Sequence, residues 1–508
     1  MAFNKLSKRI YTKRDITLGT AVSFGITDFI GGGGQTIIGA WMLFFYTSYC
    51  NLTATDGAII VGVGKIVTAI VGLLMGGFTD NFYKHRLGKK FGRRHFFLFI
   101  GSPLLLCFAL MWVSGLNFWY YLLTFAAFDA ISTAVMIPFE TLPTEMTTDF
   151  NKRTKLSTAR MFFSASATFL ATFIPGQLFR ILGQNSPVPF FINGLLFAII
   201  FAIAMFFTAF NTWERPVSEI ATDDVDEKES FFKVFAEDIK AYFSTFKIKS
   251  FRKHLAIYLF SFTGKDVYNT VFTYFCVYVL GVTATVAANV LSLSIVGVAM
   301  TLVGGFLIIK FGPRWLYMFG YSLMLLMLVA YYLIAKTMPE HIVALLFVVS
   351  FVYQIGRSTL EFTPWNVYPF IPDVDEIVAG KNRAGVFASV MTFLRNATAA
   401  LATVLVGVFL DANGFVKGAK TQPLGTQHAI LNALVFGAGG LIIIALLFAL
   451  TFKVNKKTHG IVVDEVNRLK AGGSKADATE ETKSVVKTLT GIDYANVWPA
   501  GKTVKGNK

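Results

Sequence analysis

Charge is what this chain has little of. Only 15% of its 508 residues are Asp, Glu, Lys or Arg, against about 25% in soluble domains, and that shortage argues against an ordinary soluble fold. Cysteine is scarce too: Cys50, Cys107 and Cys276 fall within or at the ends of apolar runs, with no paired spacing. They read as packing residues, so neither a disulfide framework nor a thiolate metal site is expected. The six histidines show no ligand spacing. A phosphate-binding loop is missing, which excludes ATP-driven pumping by this chain. The first residues are charged and polar, with no short apolar core before a small-residue cleavage site, so no removable signal peptide is expected. With no metal, nucleophile or cofactor constellation, the chain does not read as an enzyme, and no cofactor is expected beyond a coupling ion.

Apolar residues are abundant: 54% of the chain, with a mean hydropathy of +0.58. They come in blocks of membrane-spanning length rather than at amphipathic spacing. Twelve blocks are counted, at 18–47, 58–78, 95–114, 118–138, 161–183 and 190–211, then 255–281, 285–308, 314–335, 341–365, 385–409 and 428–452. Several short motifs occur twice, about 220 to 230 residues apart. Lys90-Phe91-Gly92-Arg93-Arg94 returns as Lys310-Phe311-Gly312-Pro313-Arg314, Pro138…Pro143 as Pro364…Pro369, and Thr53-Ala54-Thr55 as Thr283-Ala284-Thr285. Such duplication marks a carrier built from two halves with its site between them. The fold expected is an all-α integral membrane protein of twelve transmembrane helices in two pseudo-symmetric six-helix bundles. The organisation is an arm (1–15), a first bundle (16–211), a central loop (212–254), a second bundle (255–452) and a polar tail (453–508), the tail being expected as largely disordered.

The net charge is +16, and Lys and Arg concentrate on alternate loops. Lys5, Lys8, Arg9, Lys13 and Arg14 precede span 1, and Lys84, Arg86, Lys89, Lys90, Arg93 and Arg94 follow span 2. The opposite loops hold only Arg180, Lys336, Lys417 and Lys420. By the positive-inside rule both termini are cytoplasmic, in a multi-pass protein of the cell membrane. The basic excess is thus an orientation signal, and no nucleic-acid partner is expected.

Ionisable residues inside spans are functional candidates, because burying charge in a bilayer is costly. They are Asp28, Lys65, Asp129, Glu140, Lys265, Asp266, Arg357, Glu361 and Arg395. Their near-balance suggests pairing across a central cavity, or permanent ion pairs between helices. Asp28 precedes Gly31 to Gly34, where a helix can open and let backbone approach a ligand. Carboxylates suit sugars, since each accepts charge-assisted hydrogen bonds from neighbouring hydroxyls. Trp365, Tyr353, Tyr368 and Phe139 offer aromatic faces for a pyranose ring, or else serve packing and interface anchoring.

These residues also resemble a family. Ile137-Pro138-Phe139, Leu142-Pro143, Glu145-Met146-Thr147, Asp149, Lys152-Arg153-Thr154, Leu156 and Arg160 are similar to the loop 4–5 signature of the glycoside–pentoside–hexuronide:cation symporters. These are the melibiose-permease-like branch of the major facilitator superfamily. Pro372-Asp373-Val374, Glu376, Gly380-Lys381, Arg383, Gly385 and Thr392-Phe393-Leu394-Arg395 match in the second half. The resemblance covers nearly all of 15–455. It implies a substrate site that includes Asp28, Lys65, Met136, Glu140, Arg160, Arg395 and Asn396, to which the in-span charges and aromatics add Asp266, Arg357, Glu361 and Trp365. It also implies departures from the melibiose-type pattern. Thr68 and Gly72 stand where two sodium-holding aspartates are expected, and Lys65 replaces an arginine. Met136 and Glu140 replace a span 4 aspartate and tryptophan, and Asn396 replaces a span 11 lysine. A sodium site is therefore not expected, and Asp28, Glu140 and Asp129 are the proton-coupling candidates.

Asp80, Arg86, Glu145, Arg153, Asp373, Glu376 and Arg383 sit at cytoplasmic span ends. A network of them would gate the inner face, or they serve topology and headgroup contact. The function expected is import of a glycoside, oligosaccharide or hexuronide by proton symport with alternating access. The alternatives are a uniporter or exchanger without cation coupling and a non-transporting sugar sensor. The partners expected are the sugar and the bilayer, with the monomer as functional unit.

Overall fold

A computed structural model describes residues 9–147, 149–215, 242–380 and 383–498. The acidic run Asp223 to Glu229, with Lys5, Lys8 and Lys381, lies outside them. Helices account for all twelve expected spans. Span 1 covers 18–49 and is followed by Ala54–Asn81, His95–Trp112, Phe118–Met146, Phe150–Leu182 and Val188–Asn211. The second half runs through Lys249–Tyr274 (continuing to Val279), 284–311, Pro313–Thr337, Ile342–Val367, Ala384–Ala412 and Leu424–Leu450. Among the described residues nine helices are long and apolar enough to cross a membrane, or ten if the bent pair of span 8 is one span. Span 1 is a succession of short helical segments, span 7 runs from an unbroken helix into a wider turn, and span 8 is two helices joined by a tighter turn.

The repeated motifs are helix punctuation. Thr53 and Thr283 are the N-caps of spans 2 and 8, their hydroxyls accepting from the backbone N–H of Asp56 and Val286. Gly92 and Gly312 end the preceding helices at φ 85° and 82°, a left-handed conformation that costs glycine least. The proline motifs differ from expectation, because Pro138 and Pro143 both lie inside span 4. That helix reaches Met146 and span 5 begins at Phe150, so the loop 4–5 signature is mostly helical. In the second half a short helix, Phe370–Ala379, bridges spans 10 and 11.

The tail corrects a second expectation. Residues 456–470 and 480–490 are helices, and Val462, Val466, Leu469, Val486 and Leu489 are buried. They pack on the bridging helix, where Ile371, Val374 and Ile377 are also buried. The apolar positions are few but helically spaced, so a polar average hides an amphipathic pattern. Further ties are Lys470 to Glu376 at 2.6 Å, and Ser250 donating to the Leu489 carbonyl at 2.7 Å.

The two halves meet through spans 1 and 7, 2 and 11, and 5 and 8. The closest polar ties between them lie at the end opposite the termini. Asp411 of span 11 accepts from the backbone N–H of Ala54 and Thr55 at 3.1 and 2.7 Å. Thr47 and Ser48 bond Tyr274 and Tyr278, and Gln184 accepts from the Ala284 N–H. Small residues allow the approach: a Cβ on Gly407 would stand 2.4 Å from that of Ala58.

Candidate functional site

The interface helices carry Asp28, Lys65, Arg160, Lys265, Asp266 and Arg395, while Asp129 and Glu140 lie on span 4 and Arg357 and Glu361 on span 10. Span 1 lies against span 5 because Gly25 and Gly32 permit it. Cβ atoms there would come 2.7 Å from Ala159 and 2.5 Å from the Ser164 carbonyl. Gly33 and Gly34 likewise face Ala167 and Phe201. The glycine run therefore serves helix packing more than ligand approach. Between Gly25 and Gly32 the span tightens at Ile26–Asp28 and widens at Phe29–Gly34. This packing delivers Asp28 to Arg160.

Arg160 is the hub of the first half. Its Nε donates to Asp28 at 2.8 Å and its Nη2 to Glu140 at 2.7 Å. The guanidinium lies over the Phe139 ring at 5.4 Å, a favourable place for a planar cation. Asp28 is buried, whereas the Glu140 side chain is 49% exposed. Lys65 donates to Gln35 at 2.6 Å, and Asp129 is buried with Oδ2 lacking a hydrogen-bond partner. Thr68 and Gly72 lie on span 2, and a Cβ on Gly72 would be 4.0 Å from Thr133. Met136 packs half-buried against the core, a turn away from Glu140.

The second half answers with its own pairs. Asp266 of span 7 meets Arg395 of span 11 at 2.7 Å, repeating the carboxylate-to-arginine pairing of spans 1 and 5. Glu361 accepts from Lys265 at 3.1 Å and from Arg357 at 3.2 Å, and Arg357 also donates to Asn269 at 2.9 Å. Phe262 carries Lys265 and Arg395 at 4.5 and 5.3 Å, and contacts Tyr258, which in turn meets Trp365. Asn396 is half-buried beside Arg395. Of the aromatics named from sequence, Trp365 is exposed, while Tyr353 stacks on Tyr268 and Phe139 on Phe24 in the core.

Pairing thus runs within each half, not across a cavity. The ion pairs stay within a bundle, although the first half holds three acids and two bases and the second two acids and three bases. Counting Arg160, the ten groups balance, five acidic and five basic. Sequence reasoning did not signal Gln35, Asn269 or Phe262, which are uncharged partners recognisable only by contact.

The expected gating residues also pair within halves. Glu145 binds Arg93 at 2.6 Å and Arg215 at 3.3 Å, Arg383 binds Asp375 at 2.7 Å, and Asp373 meets His459 at 2.9 Å. Glu376 is held by Lys470, Arg153 donates to the Thr147 carbonyl at 2.8 Å, and Arg86 is exposed at the start of a short helix. The side chain of Asp80 lies outside the described residues. One strong group gave no sequence signal: Glu214, past the end of span 6, accepts from the backbone N–H of Arg93, Arg94 and His95 at 2.8, 2.8 and 2.6 Å. Burial alone would raise its pKa, but the hydrogen bond and charge of His95 and the N–H groups outweigh burial and hold it below the ordinary 4.5.

Comparison with known proteins agrees with this architecture. The family model for MFS/sugar transport proteins matches residues 23–456. A protein of Synechocystis sp. described only as a symporter is 22% identical, over 87% of this chain and 95% of its own. A candidate sulfoquinovose importer of Salmonella typhimurium is 22% identical over 92% and 97%. An isoprimeverose transporter of Lactiplantibacillus pentosus is 26% identical over 38% and 41%. Among solved structures, a D-xylose–proton symporter shares the fold with a TM-score of 0.55 at 15% identity, over 87% of this chain and 97% of that one. The nucleoside transporter NupG does so at 0.60 and 13%, over 87% and 100%. The chain belongs to the MFS/sugar transport family, the branch that its loop motifs resemble, and is a multi-pass membrane transporter.

Proposed function

We propose that this member of the MFS/sugar transport family imports a sugar, glycoside or hexuronide by proton symport. The observation that carries the reading is the Asp28–Arg160–Glu140 triad, which ties spans 1, 5 and 4 together with Glu140 half exposed. Its carboxylates are suited to bond adjacent hydroxyls, with Trp365 available to the apolar face of a ring. The names of relatives that carry sulfoquinovose and isoprimeverose support the substrate class.

Coupling follows from competition for one guanidinium. A proton on the accessible Glu140 would release Arg160 and leave Asp28 its remaining partner. Sugar and proton then favour each other if both stabilise the same arrangement of the triad. Thr68 and Gly72 supply a single hydroxyl beside the Lys65 ammonium, a poor setting for sodium. With the basic end cytoplasmic, the contacts around Asp411 close the outer face and this conformation is inward-open.

Uptake of candidate sugars into proteoliposomes tests the reading. Accumulation driven by an imposed pH gradient and indifferent to sodium is expected. Sodium-stimulated accumulation at fixed pH without proton influx would overturn the coupling, and equal uptake with and without the pH gradient would make the protein a uniporter.

A further inference from the structure

The two halves treat their repeated Lys-Phe-Gly motif in opposite ways. In the first half Glu214 fills the space beside Gly92: its Oε1 lies 2.6 Å from where a Cβ would be. In the second half nothing lies within 4 Å of that point on Gly312. The chain leaving each bundle explains the difference. Thr212-Trp213-Glu214 follows span 6, and Thr451-Phe452-Lys453 follows span 12, so the carboxylate position is occupied by a lysine. In place of the built-in anion there is a cavity of 750 Å³. Lys310, Gly312, Pro313, Lys456, Lys457 and His459 line it, along with Asn366, Asn455 and apolar residues, and no carboxylate does so among the described residues. Two of these cations have partners outside the cavity, Glu481 for Lys457 and Asp373 for His459.

The walls match a lipid better than a soluble anion. Ile308, Ile309 and Phe311 line the cavity from span 8, and Ile309 is 79% exposed. Beside it an aromatic ladder, Phe311, Trp315 and Phe319, stacks at centroid distances of 4.8 and 5.2 Å, with all three rings exposed. Exposed aromatics at the end of a span belong at the headgroup level of a bilayer. Basic pockets at such a place suit anionic headgroups.

We propose that this cavity binds an anionic phospholipid of the adjoining leaflet. Its phosphate sits among Lys310, Lys456 and Lys457, and its acyl chains run along Ile309 and the aromatic ladder. The lipid supplies in the second half the negative charge that Glu214 supplies in the first, and it joins the tail to span 8.

The test uses the purified full-length chain, delipidated in neutral detergent and offered an equimolar mixture of phosphatidylglycerol and phosphatidylcholine, with retained lipid read by native mass spectrometry. The wild type retains phosphatidylglycerol preferentially. In the variant K310Q/K456Q/K457Q the preference falls by about five-fold for each lysine removed. The variant K310R/K456R/K457R keeps it, and so does K336Q/K420Q/K483Q, which removes the same charge elsewhere. Equal retention by the Gln variant and the wild type would overturn the proposal. So would displacement of the lipid by inorganic phosphate alone, which would identify a soluble-anion site.

Discussion

Single residues decide most at Arg160 and Glu214. Arg160 spans two carboxylates with separate nitrogens, which a lysine ammonium at the end of a flexible stem cannot reproduce. Arg160→Lys is therefore expected to lose transport while the protein still folds, read as uptake against a thermal-unfolding control. Asp28→Asn removes charge-assisted bonds worth about 1.5–3 kcal/mol and should weaken sugar binding accordingly; unchanged affinity in a titration would exclude Asp28 from the site. Glu214→Gln keeps one oxygen for the N–H groups of Arg94 and His95 but turns an NH₂ group towards the Arg93 N–H and removes the charge beside His95. The expected loss is about 3–5 kcal/mol of stability, measured as a lower unfolding midpoint in detergent. The pH dependence has a definite sign. Because the folded carboxyl is depressed, its contribution is complete above the ordinary 4.5 and is lost as pH falls below that value. Wild type and Glu214→Gln should therefore converge in stability as the medium is made more acidic.

At the scale of elements, close helix approach sets both the site and the closure. Gly25 and Gly32 bring span 1 onto span 5, and Gly407 brings span 11 onto span 2. Gly407→Val would overpack that contact by about 1–3 kcal/mol and favour separation of the halves at the end opposite the termini. Greater labelling of Thr55→Cys by an impermeant thiol reagent checks this, since Thr55 lies under Asp411 in the closed arrangement. Most of the elements were legible in the sequence, because membrane spans announce themselves by length and apolarity. The helical extension past Pro138 was not, as proline reads locally as a break although the flanking turns tolerate it. The tail was missed because a few well-spaced apolar residues, among them Val466 and Leu489, do the burying. Leu489→Ala is expected to loosen the tail by about 2–5 kcal/mol, seen as faster proteolysis between the two tail helices.

Across the whole molecule, the two bundles keep their ion pairs internal and meet through spans 1 and 7, 2 and 11, and 5 and 8. That arrangement suits rigid-body rocking, since these ion pairs need not break when the bundles move apart. The orientation is testable directly. With the basic end cytoplasmic, Asn185→Cys should react with an impermeant reagent in intact cells and Lys89→Cys should not.

The class of molecule, the number of spans, the duplication and the candidate ionisable residues were all readable along the chain. These depend on composition, length and repeated motifs, which act locally or add up along the chain. Only the tertiary structure decided which charge meets which. Asp28 finds Arg160 across 132 positions, and Asp266 finds Arg395 rather than the other bundle, because helix packing and not spacing brings them together. It likewise placed Glu214 against the motif at Gly92 while leaving Gly312 open, a difference that nearly identical motifs conceal. Desolvation is the physical reason: a charge in a span is satisfied by whichever partner lies within about 4 Å, and such distances follow from how the helices are stacked.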